Sequence, residues 1–124
     1  NKQVRAELYD ELTISNCEIL RMATKGWGML VFSTGKGNGV YTVDNCTFNG
    51  DNTQGIYINQ QNDGAVYNIT NCTFNGNFGG QGAVTIEQDD DNSSNYTVNV
   101  KGCTFNNIPD TLYLNLTSAK IFTS

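Results

Sequence analysis

Three observations predict an all-β chain wound into repeating coils. A six-residue motif recurs, each copy is flanked by short runs of alternating apolar and polar residues, and each copy opens on Asn or Gly. Asn45-Cys46-Thr47-Phe48-Asn49-Gly50 returns as Asn71-Cys72-Thr73-Phe74-Asn75-Gly76 and then as Gly102-Cys103-Thr104-Phe105-Asn106-Asn107. A degenerate first copy stands at Asn16-Cys17-Glu18-Ile19. The cysteines lie 29, 26 and 31 residues apart, a period typical of chains that stack one structural unit on the next.

The elements of each repeat follow in a fixed order. Before each copy stands an alternating pair: Leu12 and Ile14, Tyr41 and Val43, Tyr67 and Ile69, Val98 and Val100. After it, beyond a loop of variable length, stands another: Leu30 and Phe32, Ile56 and Ile58, Val84 and Ile86, Leu112 and Leu114. A period of two with β-branched and aromatic enrichment means strands. Asn16, Asn45, Asn71 and Gly102 fall between the first strand and the second. Asn and Gly tolerate positive φ, so a sharp left-handed bend is expected there.

Three strands per repeat, stacked at ~4.8 Å per turn, make a right-handed parallel β-helix of about four three-stranded coils. It is expected as a single module over residues 1–124, with residues 1–11 as an N-terminal cap or partial coil. Ile121-Phe122-Thr123-Ser124 would begin a fifth coil. So short a stack leaves strand edges unpaired, and the chain is read as a piece of a longer solenoid with neighbouring coils or domains.

In this register the interior is a set of columns. Cys17, Cys46, Cys72 and Cys103 form one, and Ile19, Phe48, Phe74 and Phe105 the next. Leu30, Ile56, Val84 and Leu112 form a third; Phe32, Ile58, Ile86 and Leu114 a fourth. Stacked cysteines point the same way, whereas a disulfide needs Cβ atoms that approach each other. Free buried thiols acting as small hydrophobes are expected.

The repeat resembles the pectate-lyase-like β-helix superfamily, in which a stacked asparagine ladder often occupies the second bend. The resemblance implies that Asn16, Asn45 and Asn71 form that ladder and that Gly102 ends it. The chain is also similar to bacterial surface β-helices of the polymorphic outer-membrane protein type, through Phe74-Asn75-Gly76-Asn77 and Gly80-Gln81-Gly82-Ala83-Val84. Such a fold carries many functions, so function must be read from the site.

Composition narrows the classes. Charged residues make up 15% of the chain, against about 25% in ordinary soluble domains, and 18 Asn, 14 Thr and 13 Gly fill the gap. The net charge of −5 and the lack of basic clusters argue against nucleic acid. No apolar run approaches ~18 residues, so no membrane-inserted helix is expected. The chain has no histidine, which removes Ser-His-Asp and Cys-His catalysis and most zinc sites. Six N-x-[ST] sequons occur. Two of them, at Asn45 and Asn71, fall in the ladder, which favours a bacterial or phage source over a glycosylated one.

Enzymes of the resembled superfamily hold substrate along the outside of the strand after the loop. The outward positions there are Met29, Val31 and Ser33, then Gly55, Tyr57 and Asn59, then Ala83, Thr85 and Glu87, then Thr111, Tyr113 and Asn115. With one carboxylate and no Arg or Lys, this row supplies neither a lyase nor the carboxylate pair of a hydrolase; no catalytic residue is assigned. As a carbohydrate-binding face it offers Tyr57 and Tyr113, about 10 Å apart with Thr85 between them, and Asn59, Glu87 and Asn115 as hydrogen-bonding neighbours. Glu87 with Asp89, Asp90 and Asp91 also supplies the oxygen ligands that calcium uses, the only cofactor the sequence points to.

Together these features imply a non-catalytic, extracellular β-helix module of a bacterial surface protein. It would be structural or adhesive, with weak binding to carbohydrate or another cell-surface ligand. The competing readings are a fragment or divergent member of a carbohydrate-active β-helix enzyme, lyase or glycoside hydrolase, and a phage tail or spike segment.

Overall fold

The structure, a computed structural model, describes residues 4–7, 11–20, 29–34, 39–51, 55–59, 64–78, 82–87, 96–107, 112–115 and 120–123. Every regular element among them is a strand. In chain order they are β1 (Val4–Glu7), β2 (Glu11–Ser15) and β3 (Glu18–Leu20), then β4 (Leu30–Thr34), β5 (Val40–Asp44) and β6 (Thr47–Asp51). Next come β7 (Ile56–Asn59), β8 (Val66–Thr70) and β9 (Thr73–Asn77), then β10 (Val84–Glu87), β11 (Thr97–Lys101) and β12 (Thr104–Asn106). The last two are β13 (Leu112–Asn115) and β14 (Lys120–Thr123).

The strands form three parallel sheets, in the orders β1-β4-β7-β10-β13, β2-β5-β8-β11-β14 and β3-β6-β9-β12. The chain visits them in strict rotation, each strand pairing with the one three places before it. Parallel neighbours cannot be joined by a tight hairpin, and the rotation supplies the crossover that each pair needs. Ile19, Phe48, Phe74 and Phe105 are successive partners in the third sheet. Leu30, Ile56, Val84 and Leu112 align in the first sheet, as do Phe32, Ile58, Ile86 and Leu114. Residues 4–7 lie beside β4 as an edge strand whose register shifts between Ala6 and Glu7.

The bends sit where the sequence places them. Asn16, Asn45, Asn71 and Gly102 have φ of 57°, 52°, 54° and 65°. Each falls between a strand of the second sheet and the next strand of the third. Backbone pairing runs through the bend: Asn45 N–H donates to Thr70 O at 3.0 Å and Thr73 N–H to Cys46 O at 2.9 Å. Asn71 N–H and Thr104 N–H repeat these bonds to Lys101 O and Cys72 O, each at 2.9 Å. The bend therefore costs the ladder no buried donor.

Inside the rotation Cys46, Cys72, Phe48, Phe74, Leu30, Ile56, Val84, Phe32 and Ile58 are buried as the column register predicts, and the second sheet contributes two more columns. Tyr41, Tyr67 and Val98 form one, and Val43, Ile69 and Val100 the other, all buried. The Tyr41 and Tyr67 rings stack at 5.2 Å. The end rungs Leu12, Ile14, Ile19, Cys103 and Phe105 are only partly covered. Two buried rings lie outside the repeat pattern. Phe78 meets Phe74 edge-on at 5.9 Å and Tyr96 meets Tyr67 at 6.2 Å.

The Tyr96 hydroxyl is buried with no hydrogen-bond partner among the described residues, and burial pushes its pKa up. An unsatisfied buried hydroxyl costs about 1–3 kcal/mol. Tyr96→Phe is therefore expected to stabilise the fold by about 1 kcal/mol, read as a higher urea midpoint. A lower midpoint would show that the hydroxyl has a partner after all.

Candidate functional site

The outer face of the first sheet, where the sequence places Tyr57, Thr85 and Tyr113, requires a correction. The register is as expected, with Thr85 between Tyr57 and Tyr113 and Glu87 between Asn59 and Asn115. Yet Tyr57 is only 4% exposed and Thr85 0%, and Met29 and Ala83 at equivalent outward positions are buried too. Ile56 and Ile58, on the inner side of the same strand, are 0% exposed. The sheet is closed on both faces at these rungs, as parallel sheets commonly are. Strand alternation tells which side a residue faces and says nothing of what covers that side. Tyr57 and Thr85 are thus not an open platform for sugar rings. The side chains of Asn59, Glu87, Tyr113 and Asn115 lie outside the described part, as do Asp89, Asp90 and Asp91 entirely. The proposed calcium ligands fall in that group.

Cys17, Cys46, Cys72 and Cys103 are all free, but only Cys46 and Cys72 are buried as expected; Cys103 is partly covered and Cys17, on the first rung, is exposed. They are more than small hydrophobes. The Cys46 thiol donates to Asp44 O at 3.3 Å and reaches Ile14 O in the rung before at 3.7 Å. Cys72 repeats the arrangement on Thr70 O at 3.3 Å and Val43 O at 3.5 Å, and Cys103 on Lys101 O and Ile69 O at 3.6 Å. Cys46, Cys72 and Cys103 thus each tie their own bend to the rung before, whereas Cys17 donates to Ser15 O at 3.3 Å. The hydrogen bond shared with Cys103, together with burial, pushes the Cys72 thiol up; burial does the same to Cys46. Both stay protonated, as packing groups do.

The asparagine ladder at the bend is shorter than the family resemblance implied. The Asn45 amide donates to Asn16 Oδ1 at 2.7 Å, but Asn71 turns away and donates to Asp44 Oδ1 at 3.1 Å. The same oxygen accepts the Thr70 hydroxyl at 2.6 Å. At the end of the column, a Cβ on Gly102 would stand 2.6 Å from Asn71 Oδ1, so the Asn71 amide would have to shift to admit a side chain there.

The hydrogen bonds of Thr70 and Asn71 lower the Asp44 pKa below its ordinary 3.8. A depressed carboxylate stabilises the fold above its unfolded pKa, and that contribution is lost as pH falls through the folded value. The stability advantage of the native chain over Asp44→Asn is accordingly expected to be largest near neutrality and to shrink below 3.8, followed by urea midpoints across pH. A difference that does not change with pH would mean that the charge on Asp44 contributes nothing.

Two further ladders were not anticipated, and both lie on outer faces. In the third sheet the Asn75 amide donates to Asn49 Oδ1 at 3.2 Å and the Asn106 amide to Asn75 Oδ1 at 2.7 Å. Asn49 donates in turn to Glu18 Oε1 at 3.1 Å. In the second sheet Asn99 donates to Asn68 Oδ1 at 2.9 Å. The Phe-Asn dipeptide of the repeat was the available signal: a residue next to an inward Phe must face out, and identical neighbours one rung apart can bond to each other.

Among the described residues no group of three or more Cys, Asp or Glu side chains is placed to hold a metal ion. No family model, curated protein or solved structure matches the chain significantly.

Proposed function

We propose that the chain is a right-handed parallel β-helix of the pectate-lyase-like type, serving as a non-catalytic scaffold module of a bacterial cell-surface protein. The observation that carries this reading is the use to which its polar side chains are put. Asp44 and Glu18 both accept hydrogen bonds from side chains one rung away, the outer asparagines bond to one another, and the thiols bond to backbone carbonyls. These groups are committed to holding rungs together. A low-charge exterior suits such a module, because parallel strands pair through the backbone and need few ion pairs.

The competing reading, a carbohydrate-active enzyme, needs two carboxylates facing each other across a substrate. Labelled acidic and neutral polysaccharides, incubated with the protein and calcium and then resolved by gel filtration, separate the two. Chains of unchanged length are the expected result. Shortened chains would overturn the scaffold reading and call for a carboxylate pair.

A further inference from the structure

The outer face of the third sheet is a regular lattice of uncharged hydrogen-bonding groups. Thr47, Thr73 and Thr104 occupy one column, and Asn49, Asn75 and Asn106 a second column two residues further along each strand. Thr104 and Asn106 are exposed and the other four half-buried. Glu18 borders the array at its lower edge, and no charged side chain stands among the six.

Two features order this lattice. Directly behind it, the Phe48, Phe74 and Phe105 rings stack at 4.9 and 5.1 Å with planes only 10° and 7° apart. The rings therefore repeat in nearly the same orientation from rung to rung. On the face itself, the amide-to-carbonyl bonds along Asn49, Asn75 and Asn106 fix each amide in one orientation. Each asparagine still has a second N–H and a free carbonyl lone pair, and each threonine has its hydroxyl. With one-to-one strand pairing, the repeat is the strand spacing of about 4.8 Å along the stack and about 6.6 Å along the strand.

The chemistry of the face limits what can bind to it. Small-molecule sites are concave, whereas these six groups lie on one side of a single sheet. The face has no cation for an anion, and no outward ring on which a sugar could stack. Its one distinctive property is two-dimensional periodicity, and a ligand that uses it must repeat at matching distances. We propose that this face binds ice. The surface of a water crystal presents rows of oxygen atoms at similar repeats, each both donor and acceptor, like a threonine hydroxyl or an asparagine amide. One such hydrogen bond, exchanged for one to liquid water, contributes little. Six in fixed register act together, because the groups were ordered before binding. The threonine methyls between the hydroxyls add apolar surface that favours release of liquid water.

The test is ice-affinity partitioning, with the labelled intact chain present while a polycrystalline ice shell grows slowly, and recrystallisation inhibition as a second readout. The native chain is expected to be enriched in the ice. Thr73→Tyr places a bulky group at the centre of the lattice, on a strand that accepts aromatic residues, and should lower the ice-to-liquid ratio by about tenfold. Thr42→Tyr, at a half-buried position in the second sheet, should leave the ratio unchanged. Thr73→Val removes one hydroxyl at nearly constant shape and should give an intermediate loss, so a misfolded tyrosine variant cannot decide the matter. Exclusion of the native chain from ice would overturn the proposal. Equal losses in the Thr73 and Thr42 variants would do so too. Retention on crystalline cellulose or chitin without retention on ice would assign the lattice to polysaccharide instead. None of these outcomes bears on the scaffold reading, which rests on whether polysaccharide chains are shortened.

Discussion

Phe74→Ala is expected to destabilise the fold by roughly 3–5 kcal/mol, the largest loss for a single side chain among the described residues. The Phe74 ring is 0% exposed, lies between Phe48 and Phe105, and takes the edge of Phe78 on a third side. Removing it forfeits the transfer energy of the ring and leaves a cavity with stacked rings above and below. The backbone on both sides is held by one-to-one strand pairing, so the cavity cannot collapse. Ring contacts of this kind add about 0.5–1.5 kcal/mol per pair. Against a total stability of about 5–15 kcal/mol, the variant could be largely unfolded at room temperature. Phe105→Ala is the internal comparison: that ring is only partly buried and stacks on Phe74 at one face, so its loss should be distinctly smaller. Urea midpoints at constant m measure both, and equal losses would refute the picture of a stack closed at its centre and open at its end.

Gly55→Ala is expected to have the next largest effect, through overpacking. A Cβ at this buried position would lie 2.4 Å from Ala83 O and 3.2 Å from Phe78 Cε1. Neither side can yield cheaply. Ala83 O accepts Ile56 N–H at 2.8 Å, while Gly55 O accepts Leu30 N–H and Met29 N–H at 3.0 Å each. Moving the residue strains pairing in two directions at once. Overpacking costs about 1–3 kcal/mol, and each hydrogen bond lost adds about 1 kcal/mol.

Gly76→Ala isolates the other reason for a glycine. There φ is +93° but the nearest atom to a new Cβ is Gly50 O, at 3.7 Å. Only the backbone penalty of about 1–2 kcal/mol is expected, partly offset by the stiffer unfolded chain. If Gly55→Ala proves the milder of the two, the contact with the Ala83 carbonyl is not what excludes a side chain at Gly55.

Much of this architecture was legible in the sequence, because the properties that set it are local. Alternation at Tyr41-x-Val43 or Ile56-x-Ile58 is a statement about neighbouring residues, and so is the tolerance of Asn16, Asn45, Asn71 and Gly102 for positive φ. The recurrence of Cys-Thr-Phe then aligns one rung with the next, and the strand partners follow without further information. The candidate site was far less legible. That Tyr57 and Thr85 point away from the central core could be read from alternation; that they are nevertheless buried could not, since burial depends on chain brought from elsewhere.

The same division separates what the sequence determined from what only the tertiary structure decided. The sequence determined strand order, register, the bends and the identity of the interior columns, since one short pattern repeats and any slip by one residue would turn every apolar side chain outward. The tertiary structure decided which polar groups bond to which. Asn71 leaves the asparagine column for Asp44, the thiols find carbonyls in the rung before, and Phe78 and Tyr96 reach the core from outside the repeat. It also decided that the Phe48, Phe74 and Phe105 planes are nearly parallel behind the outer Thr and Asn columns. These outcomes turn on distances of a few tenths of an ångström between groups 26 to 34 residues apart; a pattern of residue types carries the side each group faces, but not those distances.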